Sequence, residues 1–300
     1  MLALVSALLY GSGDFLGGLS TRRAPMLLVV ALGQAAGLGV LIGILALMPA
    51  ATATPADLAW GAVAGVFGGA GVGLLYRALA VGTMSIVAPT TAVCAVAVPV
   101  LAATLMGEVP GPLVLSGIGL AVVSIVLVSQ QPDAHTAGPR APGTPAPRAV
   151  GLSTVLPGTA SFRTAGLGTA LGSGLLIGLF FLALARTGPA AGLWPLLSGR
   201  ATSVAVFGAA MVVTGHTWRS GGTTTAPIVA GGVLDMLANA LYLLATHGGP
   251  LASVVTLASL YPASTIVLAR VVLGERIGRV QAAGIVVALV AVALIVSAPA

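Results

Sequence analysis

Two of the chain's six acidic residues, Asp14 and Asp235, lie inside long apolar runs. A carboxylate is costly to bury in such a run, so each is first a candidate for binding or proton exchange. Asp235 heads a stripe, because Asn239 and Tyr242 follow at i+4 and i+7 and share its face of an α-helix. Burial disfavours the ionised carboxylate, which suits Asp235 to exchanging a proton. The alternative is a static ion pair with Arg200, which sits mid-run in LWPLLSGRATS. Asn239 and Tyr242 can hydrogen-bond a cargo, or can serve as interhelical packing bonds.

Asp14 lies in YGSGDFLGG, with Tyr10 one turn before it on the same face. The surrounding Gly11, Gly13, Gly17 and Gly18 allow close helix approach or a local break. Asp14 reads as a protonatable or cation-coordinating carboxylate, or as a structural partner for an arginine. Its place in the outer third of its run puts interfacial water within reach. Tyr76 and Arg77 close another run, LLYRALAVG. The planar fork of Arg77 suits a substrate carboxylate, and its length equally suits snorkelling to headgroups. His247 holds a similar end-of-run place. Glu108 and Glu275 each precede a helix start, where negative charge is favourable, and read as structural.

No constellation for enzymatic chemistry accompanies these groups. H-E-x-x-H, CxxC and G-x-S-x-G are absent, and a chain without lysine cannot carry a Walker A motif. No metal-ligand cluster or cofactor is implied, and the lone Cys94 reads as small apolar packing. Energy for any transport would come from an ion gradient or from the cargo's own gradient.

The elements that must position these residues are membrane helices. Of the 300 residues 58% are hydrophobic and 6% charged, with mean hydropathy +1.11, so no polar surface remains to cover a soluble core. The net charge of +6 forms no patch with interleaved aromatics and gives no sign of nucleic-acid binding. Met1–Ser20 lacks a basic leader and a small-x-small cleavage pattern, so it reads as a first span. About 20 apolar residues cross the hydrocarbon, and that length gives ten candidate spans: 2–20, 25–48, 58–80, 84–106, 111–129, 165–185, 191–214, 226–246, 250–273 and 278–297. Pro89, Pro99, Pro195 and Pro262 fall inside them as candidate kinks. Residues 130–163 are polar and proline-rich, a flexible linker between five spans and five spans.

The two halves, 1–129 and 164–300, resemble each other. A shift of 167 residues sets Gly107-Glu108 on Gly274-Glu275, Gly117-Ile118 on Gly284-Ile285 and Gly65-Val66 on Gly232-Val233. Five spans end on the side opposite their start, so a second copy enters the membrane inverted. Inverted repeats place a transporter's site near the midplane between them.

The recurring pattern of a fourth span, Gly-Glu and a fifth span resembles the EamA family of the drug/metabolite transporter superfamily. It reads SIVAPTTAVCAVAVPVLAATLMGEVPGPLVLSGIGLAVVSIVLVS and then PLASVVTLASLYPASTIVLARVVLGERIGRVQAAGIVVALVAVALIVS. The resemblance implies an all-α membrane protein of ten helices in two inverted five-helix repeats, with a cavity lined chiefly by spans one, three, four, six, eight and nine. It implies a carrier, often an exporter of amino acids or other small metabolites.

The expected function is therefore secondary transport of small polar metabolites, with proton-coupled efflux by alternating access. Facilitated or cation-linked uptake and a non-transporting scaffold are the alternatives. The expected setting is a bacterial-type plasma membrane, with the lipid bilayer, a small-molecule substrate and protons as partners, and either a monomer or a homodimer. Eight of nine loop-proximal arginines fall on the side away from the termini. That puts the termini outside by the positive-inside rule, whereas the resemblance puts them inside.

Overall fold

A computed structural model describes residues 1–48, 51–105, 111–129, 161–215, 222–248, 260–275 and 277–297. The described residues form ten α-helices: α1 Leu2–Thr21, α2 Met26–Leu47, α3 Pro55–Val81, α4 Met84–Leu105, α5 Pro112–Ser129, α6 Ser161–Leu184, α7 Trp194–Val213, α8 Gly222–Gly248, α9 Tyr261–Leu273 and α10 Arg279–Ser297. Six stretches are long and apolar enough to cross a membrane: α1, α2, α3, α7, Gly166–Leu184 of α6 and Thr225–Tyr242 of α8. The other four helices carry shorter apolar stretches among the described residues.

Local chemistry fixes the helix ends. Thr54 caps α3 by accepting from the Asp57 N–H at 3.2 Å, while the Asp57 carboxylate takes the Thr54 N–H at 2.8 Å. Pro55 follows at a position whose N–H the helix does not need. Gly274 ends α9 with φ 65°, a left-handed conformation that glycine adopts without the strain of a Cβ.

Several boundaries differ from the sequence expectation. Helix α6 begins at Ser161, so residues 161–163, expected in the linker, are helical; the rest of the linker lies outside the described residues. Pro195 falls in the first turn of α7, and Pro262 in the first turn of the described α9. There a missing N–H breaks no hydrogen bond and the helix has no reason to kink. Pro227 instead lies inside α8, which starts four residues before the expected span. Pro99 keeps its place in α4, Glu108 lies outside the described residues, and His247 falls in the last turn of α8.

The main core joins α1, α2, α3, α4, α6, α7, α8 and α9 around residues such as Phe15, Leu28, Tyr76, Leu79, Met84, Ala170, Phe207, Met211, Ile228 and Ala269. Helices α5 and α10 pack on each other and on α4, through Val93, Ala121, Ala288, Ala291 and Val292. The large apolar side chains left exposed, such as Leu8, Val122, Val213 and Val271, point to a lipid rather than an aqueous surround.

Pairings between the halves recur when each helix is exchanged for the one five places on. Helix α3 packs on α6 as α8 packs on α1, α3 on α7 as α8 on α2, and α4 on α6 as α9 on α1. The atoms repeat as well. Ser173 Oγ donates to the Gly71 carbonyl at 2.8 Å, and Ser6 Oγ donates to the Ala238 carbonyl at 2.8 Å. Both members of the second bond lie 167 residues from those of the first. Gly65 seats its backbone against Gly199, and Gly232, its counterpart by the same shift, seats against Gly33. A Cβ on either Gly65 or Gly232 would overlap the facing carbonyl, so small residues set how closely these helices approach.

Candidate functional site

The Asp235 carboxylate pairs with Nη2 of Arg200, and Nη1 of the same guanidinium donates to Oε1 of Gln34. Three helices thus meet on one fork: α7 supplies the arginine, α8 the aspartate and α2 the glutamine. The approach of α2 to α8 depends on glycine, because a Cβ at Gly232 would overlap the Gly33 carbonyl and one at Gly37 would lie 3.1 Å from the Gly232 carbonyl. The side chains are well enclosed, with Arg200 11% and Asp235 15% exposed. Pairing is what makes two charges tolerable at that depth.

Beside this pair is a small cavity lined by Val30, Gly33, Gln34, Val72, Tyr76, Arg200, Gly232 and Asp235. It offers about 10 Å³ to the centre of a water molecule, room for about one water. Its walls are α2, α3, α7 and α8; α3 and α8 are among the helices that the resemblance places around a central cavity, and α2 and α7 join them at this small void. The Gly33–Gly232 contact brings α2 close enough to do so.

Asp14 approaches from α1. Gly13 packs against α8, where a Cβ would lie 3.4 Å from the Asp235 nitrogen and 3.1 Å from the Gly231 carbonyl. Gly17, one turn on, lies under the Tyr76 ring, and Gly11 lies against Tyr261 and Ser264 of α9. Asp14 is therefore packed against by α3, α8 and α9, and it is 9% exposed. It lies within electrostatic reach of Asp235, Tyr10, Tyr76 and Tyr261. Among the described residues its carboxylate has no ion pair or hydrogen bond.

The remaining predicted residues divide. Tyr10 stacks edge-on against Tyr261, with centroids 6.3 Å apart, and joins the cluster. Tyr76 is buried and lines the cavity. Asn239 donates its amide to the Asp235 carbonyl at 2.8 Å, so it stays bound to its own helix. Tyr242 packs with Ala3 and Ala245, beyond the cavity. Arg77 is exposed and takes no part in the cluster, as a headgroup-directed arginine would be. Gln34 went unnoticed in the sequence, although it is the one polar side chain in MLLVVALGQAAGLGV and the cost of burying it was the available signal.

The 167-residue shift turns each of these polar members of the cluster into an apolar or small residue. Asp14 falls on Phe181, Gln34 on Ala201, Arg200 on Gly33 and Asp235 on Gly68. The contacts follow suit: where Gly13 meets Asp235, its counterpart Phe180 lays its ring on Gly68. One crossing of the halves is polar, and its twin is filled with phenyl carbon.

A family model described as the EamA-like transporter family matches residues 1–130 and 164–297. The chain belongs to the EamA-like transporter family. No curated protein matches it. Members of this family, within the drug/metabolite transporter superfamily, are transporters rather than enzymes, and the family together with the six long apolar helices points to an integral multi-pass membrane protein. In this EamA-like chain Asp14, Arg200 and Asp235 gather at one crossing between the two matched regions.

Proposed function

We propose that this EamA-like protein is a secondary carrier of small polar metabolites, amino acids among them, that couples efflux to protons by alternating access. Ten spans in two inverted repeats are the architecture of that reading. It is supported by the helix exchange and by the matched Ser6–Ala238 and Ser173–Gly71 bonds.

One observation carries the coupling. Arg200 balances Asp235, which leaves Asp14 buried with no cation beside it among the described residues. A buried carboxylate without a partner calls for positive charge from outside the chain. A proton satisfies it in one half of a cycle, and the cargo displaces that proton in the other. Proton exchange, expected of Asp235 from the sequence, is thereby assigned to Asp14. The Arg200–Asp235 pair beside the cavity is left to hold the polar groups of the cargo, with Gln34, Tyr76 and Tyr10 around it.

The test is a thermal-shift screen of purified protein against a metabolite panel, followed by flux in proteoliposomes for each hit. The carrier reading predicts at least one ligand that raises the unfolding temperature and is then transported. A membrane scaffold predicts neither. Flux that follows a sodium gradient and ignores a pH gradient would favour cation-linked uptake.

A further inference from the structure

We infer that Asp57 and Glu275 are the two gate residues of the transport cycle, each tying one half of the molecule to the other at opposite membrane faces. The inference rests on the carrier reading above. Asp57 lies in the first turn of α3, with Oδ2 held inside its own half by Thr54 N at 2.8 Å and Thr54 Oγ1 at 2.7 Å. Its other oxygen, Oδ1, crosses to the second half and accepts the Gly188 N–H at 2.7 Å.

Glu275 makes the converse connection. The left-handed turn at Gly274 sends its side chain back across the first half, where Oε1 accepts the Met84 N–H at 2.9 Å. Oε2 accepts Ser85 N at 3.0 Å and Ser85 Oγ at 2.8 Å. The carboxylate thus satisfies the start of α4, not of the helix that follows it in sequence. Free N–H groups at a helix start are well matched to a carboxylate.

These connections sit at the two ends of α3. Asp57 is in its first turn, and Met84 follows three residues after its last. A helix of 27 residues rises about 40 Å, so the ties lie at opposite faces. Further cross-half contacts cluster at the Asp57 face: Thr52 N donates to Ala190 O at 3.1 Å, Ser198 Oγ donates to Leu58 O at 2.7 Å, and the Arg186 guanidinium stands 6.0 Å from the Trp60 ring centre.

Alternating access requires that one face part while the other stays shut. Contacts that do this must be replaceable by water, and hydrogen bonds at a membrane face qualify, because water takes over both donor and acceptor. Glu275 already borders an open groove with Arg270, Gly274 and Ile277. The backbone contacts Gly65–Gly199 and Gly232–Gly33, at mid-depth, have no such substitute. They serve as pivots, with Asp57 and Glu275 as the releasable ties on either side.

The experiment places a reporter cysteine at Val72, on the cavity wall, in a Cys94→Ser background, and measures its labelling by a membrane-impermeant maleimide from each side. Asp57→Ala is expected to speed labelling from the Asp57 face about tenfold, the scale of one lost charge-assisted hydrogen bond. Glu275→Ala is expected to do the same from the Glu275 face. Ser85→Ala, which removes one of three bonds and leaves the carboxylate in place, should give a smaller shift in the Glu275 direction. If either alanine variant fails to run as a monodisperse species, Asp57→Asn and Glu275→Gln decide the question. Equal changes from both faces, or none, would overturn the assignment. Labelling biased by the variants with no flux of any cargo would instead leave the gates standing and sink the carrier reading.

Discussion

Replacing Arg200 by methionine is expected to destabilise the protein by about 3–5 kcal/mol, and replacing Asp235 by leucine by a similar amount. Each change strands the other charge beside a cavity with room for about one water. Arg200→Met also removes the donor to Gln34, leaving that amide with one bond fewer in an apolar wall. The double variant Arg200→Met/Asp235→Leu removes both charges together, so it should recover most of the lost stability. Thermal unfolding of the four proteins in detergent forms a double-mutant cycle, and a large coupling energy is the expected result. Additive losses would mean that the pair does not hold the three helices together. Transport should not return with stability, because the double variant keeps the packing and discards the polar groups facing the cargo. Recovered flux would separate the pair from cargo binding.

The second large effect concerns the mid-depth glycines. Gly65→Ala and Gly232→Ala each drive a methyl group into a facing backbone carbonyl, on Gly199 and Gly33 respectively. A backbone cannot step aside as a side chain tip can, so the helices must separate. A cost of about 1–3 kcal/mol is typical of overpacking, and these positions should fall at its upper end, with little monodisperse protein recovered. Gly39 supplies the control, because a Cβ there meets nothing within 4 Å. Gly39→Ala should be neutral or stabilising by up to about 1 kcal/mol, since alanine favours the helix over glycine. Matched losses at Gly65 and Gly232 would also show that the two crossings bear equivalent loads, as the repeat implies. Tolerance of alanine at both would contradict the proposed pivots.

Much of this arrangement was legible in the sequence. Apolar run lengths located the helices, and the Gly-Glu repeat gave the 167-residue register that the Ser6 and Ser173 hydrogen bonds follow. The Arg200–Asp235 pair was readable too, as the alternative to an isolated Asp235, because a mid-run arginine and a mid-run aspartate each need a partner. Which helix a side chain would reach was not readable. By sequence Glu275 serves the helix after it, yet a single left-handed turn at Gly274 redirects it to α4, which begins 191 positions earlier in the sequence. Arg77 and Tyr76 are neighbours in sequence and part company in space, since successive helical residues point about 100° apart. Gln34 was passed over because an uncharged side chain is a weaker anomaly in an apolar run than a carboxylate.

The central claim is that a proton and a cargo alternate on Asp14. Its most direct measurement is the internal pH of proteoliposomes, followed when a cargo from the thermal-shift screen is added under an imposed pH gradient. Wild-type protein is expected to give a cargo-dependent pH change. Asp14→Asn, which keeps the size of the side chain and discards the titrating group, is expected to give none while still binding the cargo, more weakly, at the Arg200–Asp235 pair. Cargo-driven proton movement of wild-type size in Asp14→Asn would contradict the account.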